Sequence, residues 1–341
     1  MNGIYYPEKV DLNDEYERKE LEEFLKHYDL SFDKDIDYSL AIRIEQKIIA
    51  TCSKAKNVLK CFAVSEKMRG EGLTSILVSR MLDKLFEEKI YHSFIFTKPK
   101  EKSKFESLNY KLIYETGEVA LLEHGKYDIN KYLEEIKSKN SINNEEKAAL
   151  VMTCNPFTLG HKYLIEKTAS ENQNVLIFIV EEDKFLFPFK TRYELVKRGV
   201  KHLKNVKVVP SGEYLISSST FPSYFLKEDS KIEKIYTELD AGVFAKYFCS
   251  KFNITKRCVG EEPYCKVTSQ YNKTLEKVLK EFKVEFCEIE RKKHDDKYIS
   301  ASLVRKLLKE KKLYLTKDIL PKVTWDFLNS KDGREIIQKL K

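Results

Sequence analysis

From Ala148 onward the chain alternates short apolar runs with amphipathic stretches, and no other feature constrains its fold as much. "KAALVMTC", "NVLIFIVEE", "NVKVVPSG", "IEKIYTELD", "ITKRCVGEEP" and "VEFCEIER" read as strands. Between them "GHKYLIEKTASE", "KTRYELVKRGVKHL", "TFPSYFLKE", "AGVFAKYFCSKFN" and "SQYNKTLEKVLKEF" read as helices, and "ISASLVRKLLKEKK" adds another near the end. Runs as apolar as "VLIFIV" are expected to be buried on both faces. The alternation predicts a Rossmann-like, doubly wound parallel sheet. Such sheets take ligands beyond the carboxyl ends of their strands, so the first strand-to-helix turn is the place to search.

The first part reads as mixed α/β. "DYSLAIRIEQKIIATCSKAKNVLKCFAVSEK" holds three short strands, and Ser75 to Phe86 sets Ile76, Leu77, Met81, Leu82 and Leu85 on one helical face. "YHSFIFTKPK" is a strand, "KFESLNYKLIYET" a short helix and a strand, and "VALLEHG" a last strand. The polar stretch "KYDINKYLEEIKSKNSINNEEKAA" reads as a helix and then a connection. A chain of 341 residues is long for one domain, and the expected division is 1–140 and 141–341.

Composition excludes several classes. A hydrophobic content of 42% supports sizeable cores. No apolar run approaches the roughly 20 residues that span a bilayer. "MNGIYYPEKVDLNDEYERKE" lacks the basic-then-apolar layout of a secretory signal. A cytoplasmic location and no membrane partner are therefore expected. The net charge of +8 fits an anionic ligand or an acidic protein partner. Basic and acidic residues are interspersed without a stripe, which argues against nucleic acid. The run "ERKKHDDK" reads as a solvated loop. Seven cysteines, an odd number without a C-x-x-C pair, indicate neither a disulfide framework nor a zinc ribbon.

The first turn of the alternating region is "VMTCNPFTLGHKYL", with Thr158, Leu159, Gly160 and His161 at the helix mouth. Gly160 allows close backbone approach, and the N–H groups of the helix start favour an anion. His161 can donate a hydrogen bond to a phosphate oxygen and stabilise charge developing there without moving a proton. Alone, T-x-G-H reads first as a capped helix with a structural histidine, and it is too short to decide. A second helix mouth lies in "YISASLVRKLL". There Ser300 is placed as an N-cap, and Ser302 and Arg305 share a face at i and i+3. Hydroxyls, N–H groups and a fixed cation suit β- and γ-phosphates.

Together the two motifs resemble the nucleotidyltransferase superfamily, with its H-x-G-H (often T-x-G-H) and I-S-x-S-x-x-R patterns. That resemblance implies in-line attack of an anionic oxygen on the α-phosphorus of ATP, with pyrophosphate released. It implies Thr158, Gly160 and His161 at the α-phosphate, and Ile299, Ser300, Ser302 and Arg305 at the outgoing phosphates. Thr153 and Cys154 would lie beside the nucleotide, and Gly260 and Glu261 near the adenosine.

The segments "VEEDKFLFPFKTRYELVKRGVKHLKNV", "YLISSSTFPSYFLKE", "VGEEPYCKVTSQYN" and "ISASLVRKLL" extend the likeness over nearly the whole chain. They are similar to the citrate (pro-3S)-lyase ligase family. This implies that ATP and acetate form acetyl adenylate. The acetyl group then passes to the thiol of the dephospho-CoA-derived prosthetic group on the acyl-carrier subunit of citrate lyase. No two-carboxylate metal site stands out, so no protein-held metal is expected and Mg2+ would ride on the ATP phosphates. Lys190 and Arg192, at a helix start, would clamp the triphosphate or attract acetate, or would form an exposed charge pair. "SSSTFPSYF" would line the acetate or pantetheine pocket, or pack on the sheet as a plain loop.

In the first part, "CFAVSEKMRGEGLTSILVSRML" resembles the acyl-CoA-binding turn of the N-acetyltransferases, R/Q-x-x-G-x-G/A, with Arg69, Gly70 and Gly72 in the pattern and Thr74 in place of its last small residue. The resemblance implies an acetyltransferase-like domain that cradles the prosthetic arm or docks the carrier; a structural appendage is the alternative. Two further functions stay open: a pantetheine-phosphate-type adenylyltransferase, and a nucleotide- or acyl-CoA-sensing regulator without turnover.

Overall fold

The structure is a computed structural model that describes residues 5–182, 184–215, 221–222, 224–226, 229–261, 266–294 and 297–340. The chain divides into two compact units, Met1–Asp128 with Phe221–Leu239, and Ile129–Thr220 with Asp240–Lys341.

The first unit contains β1 (Glu8–Lys9), α1 (Glu15–His27), β2 (Tyr38–Ile44), β3 (Lys47–Ala55), β4 (Val58–Val64), α2 (Leu73–Glu87), β5 (His92–Thr97), α3 (Lys102–Glu106), β6 (Lys111–Glu115) and β7 (Ala120–Gly125). Its sheet runs β1-β2-β3-β4-β5-β7-β6. Neighbours are antiparallel except β4 and β5, which run parallel. Leu73, Leu77, Met81 and Leu85 recur at helical spacing on α2 and pack with Leu40, Ile42, Leu59, Ile95 and Leu122 of the sheet. α1, which the sequence reading passed over, starts at Asp14, whose carboxylate accepts from the N–H groups of Tyr16 and Glu17.

The second unit begins with α4 (Ile129–Lys139) and continues through β8 (Lys147–Met152), α5 (Leu159–Glu171), β9 (Val175–Ile179), α6 (Phe189–Gly199) and β10 (Val206–Pro210). α7 (Asp229–Val243), whose residues up to Leu239 belong to the first unit, runs on from Asp240 in the second unit through a π-helical turn (Phe244–Cys249) into α8 (Ser250–Phe252). Then come β11 (Ile254–Gly260), α9 (Lys266–Glu281), β12 (Glu285–Ile289), the hairpin β13 (Lys293–His294) and β14 (Lys297–Tyr298), α10 (Ala301–Lys309), α11 (Lys322–Asn329) and α12 (Lys331–Gln338). The sheet order is β10-β9-β8-β11-β12, every pair parallel. This is the doubly wound arrangement the alternation predicts. Successive crossovers go outward on one side of β8 and then on the other, which puts the switch point between β8 and β11. Leu150, Ile177 and Ile179 pack with Ile165, Leu195 and Val196 from α5 and α6.

Two expected elements differ. "IEKIYTELD" is helical, not a strand, because it lies inside α7. Ile235, Leu239 and Val243 fall four residues apart and are buried, a helical period that outweighs the β-branched content. Among the described residues the sheet therefore has five strands rather than six. In "TFPSYFLKE", the described residues 221–222 and 224–226 form bends and a turn instead of a helix, with Phe221, Tyr224 and Phe225 buried. The remaining residues of that stretch, and 216–220, lie outside the described residues. The "ERKKHDDK" run holds the short β13–β14 hairpin.

Candidate nucleotide site

The carboxyl end of β8 leads into α5 through the T-x-G-H turn. Thr158 is the N-cap, and its hydroxyl accepts from the backbone N–H of His161 at 3.3 Å. The histidine answers: the backbone N–H of Thr158 donates to His161 Nδ1 at 3.1 Å. This is a reciprocal capping box with histidine where glutamate or glutamine is usual. Because Nδ1 accepts, the proton of the neutral ring belongs on Nε2, and the locked imidazole presents one N–H donor. Burial first, then the guanidiniums of Arg291 and Arg305, push its pKa down to about 4. At neutral pH His161 is an uncharged donor.

The second motif comes to the same place. Ser300 caps α10 by accepting from the N–H of Leu303 at 3.1 Å. Arg305 donates through Nη2 to Ser302 Oγ at 3.0 Å and through Nη1 to the carbonyl of Asn155 at 2.6 Å. The latter bond crosses 150 residues to the turn that carries His161. Burial lowers the pKa of Arg305. Gly160 completes the join: a Cβ there would lie 2.9 Å from the carbonyl oxygen of Ile299. Thr158, Gly160, His161, Ile299, Ser300, Ser302 and Arg305 thus form one constellation.

Lys190 and Arg192 do not act as a pair. Lys190 is exposed in the first turn of α6. Arg192 has 0% exposure, so it is not an exposed helix-start charge. Its guanidinium donates to the carbonyls of Phe187 (2.9 Å), Thr153 (2.7 Å), Val180 (2.9 Å) and Glu182 (2.6 Å). It ties the loops leaving β8 and β9 to the start of α6. Thr153 is exposed and Cys154 buried. Burial pushes the Cys154 thiol up to about 12, which makes it a packing group and not a nucleophile.

Gly260 and Glu261 stand at the carboxyl end of β11, on the other side of the switch point from His161. The Gly260 carbonyl accepts from Asn272 Nδ2 at 3.3 Å, and the Glu261 N–H donates to Ile289 O at 2.8 Å. In the first unit, Gly70 and Gly72 take φ of +92° and +72° immediately before α2. A side chain at either would meet no atom within 4 Å. Arg69 is exposed, 3.4 Å from Glu66.

Arg291 and Asn155 escaped the sequence reading. Arg291 lies two residues beyond the end of β12, in a strand-end position that parallel sheets reserve for ligands, but the surrounding charge run disguised it. Asn155 anchors the turn by both ends. Its carbonyl holds Arg305, and its Oδ1 accepts from the N–H of Phe187 at 3.1 Å.

Citrate lyase ligase C-terminal domain is the family whose pattern matches residues 147–328, more than half of the chain. Over 317 residues the chain is 34% identical to the citrate (pro-3S)-lyase ligase of Escherichia coli, covering 91% of this chain and 90% of that protein. The chain belongs to the citrate lyase ligase family. Further citrate (pro-3S)-lyase ligases, from Haemophilus influenzae and Klebsiella pneumoniae, are 33% and 30% identical over 92% and 93% of this chain, and the matches cover 95% and 94% of those proteins. Family membership makes the chain an enzyme of the ligase class. Among the described residues, no helix is long and apolar enough to cross a membrane, and no three His, Cys, Asp or Glu side chains meet to hold a metal ion.

Proposed function

We propose that this enzyme activates acetate with ATP and passes the acetyl group to the thiol of the prosthetic group on the citrate lyase acyl-carrier subunit. The observation that carries this reading is the locked His161 ring, whose Nδ1 is held by Thr158 and whose Nε2 therefore carries the proton, in the field of Arg291 and Arg305. In the first step an acetate oxygen attacks the α-phosphorus, an O–P bond forms, and the P–O bond to pyrophosphate breaks. His161 Nε2–H donates to the α-phosphate oxygen as charge builds in the transition state. Arg305, with Arg291, balances the outgoing pyrophosphate. A depressed pKa suits this role, since a neutral histidine keeps its proton throughout.

In the second step the arm's thiolate attacks the acyl carbon and AMP leaves with the bonding electron pair. Ser300, Ser302 and the first-turn N–H groups of α5 and α10 cradle phosphate oxygens, because helix geometry leaves those N–H groups without intrahelical acceptors. Thr153 and Cys154 bound the nucleotide on the β8 side, and Gly260 and Glu261 bound the adenosine on the β11 side. Arg192 acts through the loops it ties, as a positioning residue, while exposed Lys190 is the cation that reaches a triphosphate. The donors of this site are hydroxyls, N–H groups and cations, which suit phosphate and not a metal. Mg2+ would enter on ATP, supplying charge neutralisation. In the first unit, Arg69 and the open turn of Gly70 and Gly72 receive the phosphate end of the prosthetic arm.

Labelled acetate decides between this and the adenylyltransferase reading. With ATP and deacetylated citrate lyase, the label is expected on the carrier thiol, released by hydroxylamine. Label that stays free while AMP is joined to a phosphorylated pantetheine would contradict the ligase reading.

A further inference from the structure

In the first unit β4 and β5 run parallel but part early. Among the described residues they pair at Val58↔Phe94 and Leu59↔Ile95 only. Beyond that point Cys61 takes φ of +56°, and the β3–β4 register shifts between Thr51 and Ser53, so β4 bulges. A continued parallel ladder would bring the N–H of Cys61 to the carbonyl of Phe96. Instead that carbonyl accepts from the hydroxyl of Tyr224 at 2.9 Å, and the backbone of Cys61 bonds to the same hydroxyl. One oxygen stands between the two strands.

The segment bearing Tyr224 is seated rather than draped. The N–H of Ser31 donates to the Tyr224 carbonyl at 2.9 Å. Phe221 meets the Phe96 ring edge-on, centroids 5.9 Å apart, and Phe225 does the same to Tyr224 at 4.9 Å. All three rings are buried. Loops pass over surfaces as a rule, and a loop that buries three aromatic rings fills a specific slot.

We infer that Phe221, Tyr224 and Phe225 form an internal plug in the β4–β5 slot, and that an extended amide chain enters there only by displacing Tyr224. The inference rests on the reading that this unit receives the prosthetic arm. A hydroxyl can donate to one partner and accept from another, and the amides of a pantetheine chain offer the same two functions to Phe96 O and Cys61 N–H. With the plug seated, the apparent affinity for such a chain falls by the fraction of molecules whose slot is open.

Calorimetric titration of the full-length protein with dephospho-CoA tests this. Tyr224→Ala is expected to bind about tenfold more tightly than the wild type, and Tyr224→Phe, which keeps the ring and loses the bridge, to fall between. Both are expected to retain acetate-dependent pyrophosphate exchange. Hydrogen exchange covers the case of a poorly folded alanine variant: in the wild type, dephospho-CoA should speed exchange at the Ser31 amide. Equal affinity in all three proteins, with Arg69→Ala still raising the KM for the carrier, would overturn the plug and leave the arm reading standing. No binding by any of them, with that KM unmoved by Arg69→Ala, would overturn both.

Discussion

At the scale of single residues, the site depends on two contacts that leave little room for substitution. Gly160 lies so close to Ile299 that a methyl group would push the two helix mouths apart. Gly160→Ala is expected to fold, yet to lose about 10²-fold in kcat/KM for ATP, the cost of misplacing groups by an ångström; steady-state kinetics at varied ATP will show it. His161 carries a pH signature as well. Its pKa falls from an ordinary 6.5 to about 4 in the folded protein, so between these values the unfolded chain binds the extra proton. This contribution to stability is therefore complete above about pH 6.5 and is lost as pH drops towards 4. His161→Gln preserves a capping box with Thr158 while removing the titration. Urea midpoints measured between pH 4 and 7 should fall less steeply on the acid side in that variant than in the wild type.

Among the elements, α6 and α7 mark the limit of what the sequence made legible. The T-x-G-H and I-S-x-S-x-x-R motifs were readable because each is local, a cap and its next turn. Their meeting through Arg305 and Asn155 was not, since it depends on folding 150 residues back. Arg192 looked like a surface cation because it sits one turn into a helix with Lys190. Only the loops around it reveal that four carbonyls occupy its guanidinium. A lysine has no planar fork to reach them, so Arg192→Lys should destabilise the protein by ~3 kcal/mol, seen as a lower urea midpoint. The strand expected in "IEKIYTELD" failed for a related reason: β-branched residues signal a strand, but burial every fourth residue wins.

Across the whole molecule, the alternation of apolar runs fixed the parallel sheet and its first turn, and the five-stranded order puts the motif-bearing strand β8 beside the switch point. What no local pattern announced is that Phe221–Leu239 belongs with Met1–Asp128, because the tie is made by buried rings far apart in the chain. The central claim is that a neutral, donor-locked His161 promotes attack of acetate on ATP. The most direct measurement is exchange of labelled pyrophosphate into ATP, with and without acetate, in the wild type and in His161→Gln. Exchange that requires acetate and falls about 10²- to 10³-fold in the variant is the predicted result. Exchange that responds to phosphopantetheine in place of acetate, or that survives in the variant, would contradict it.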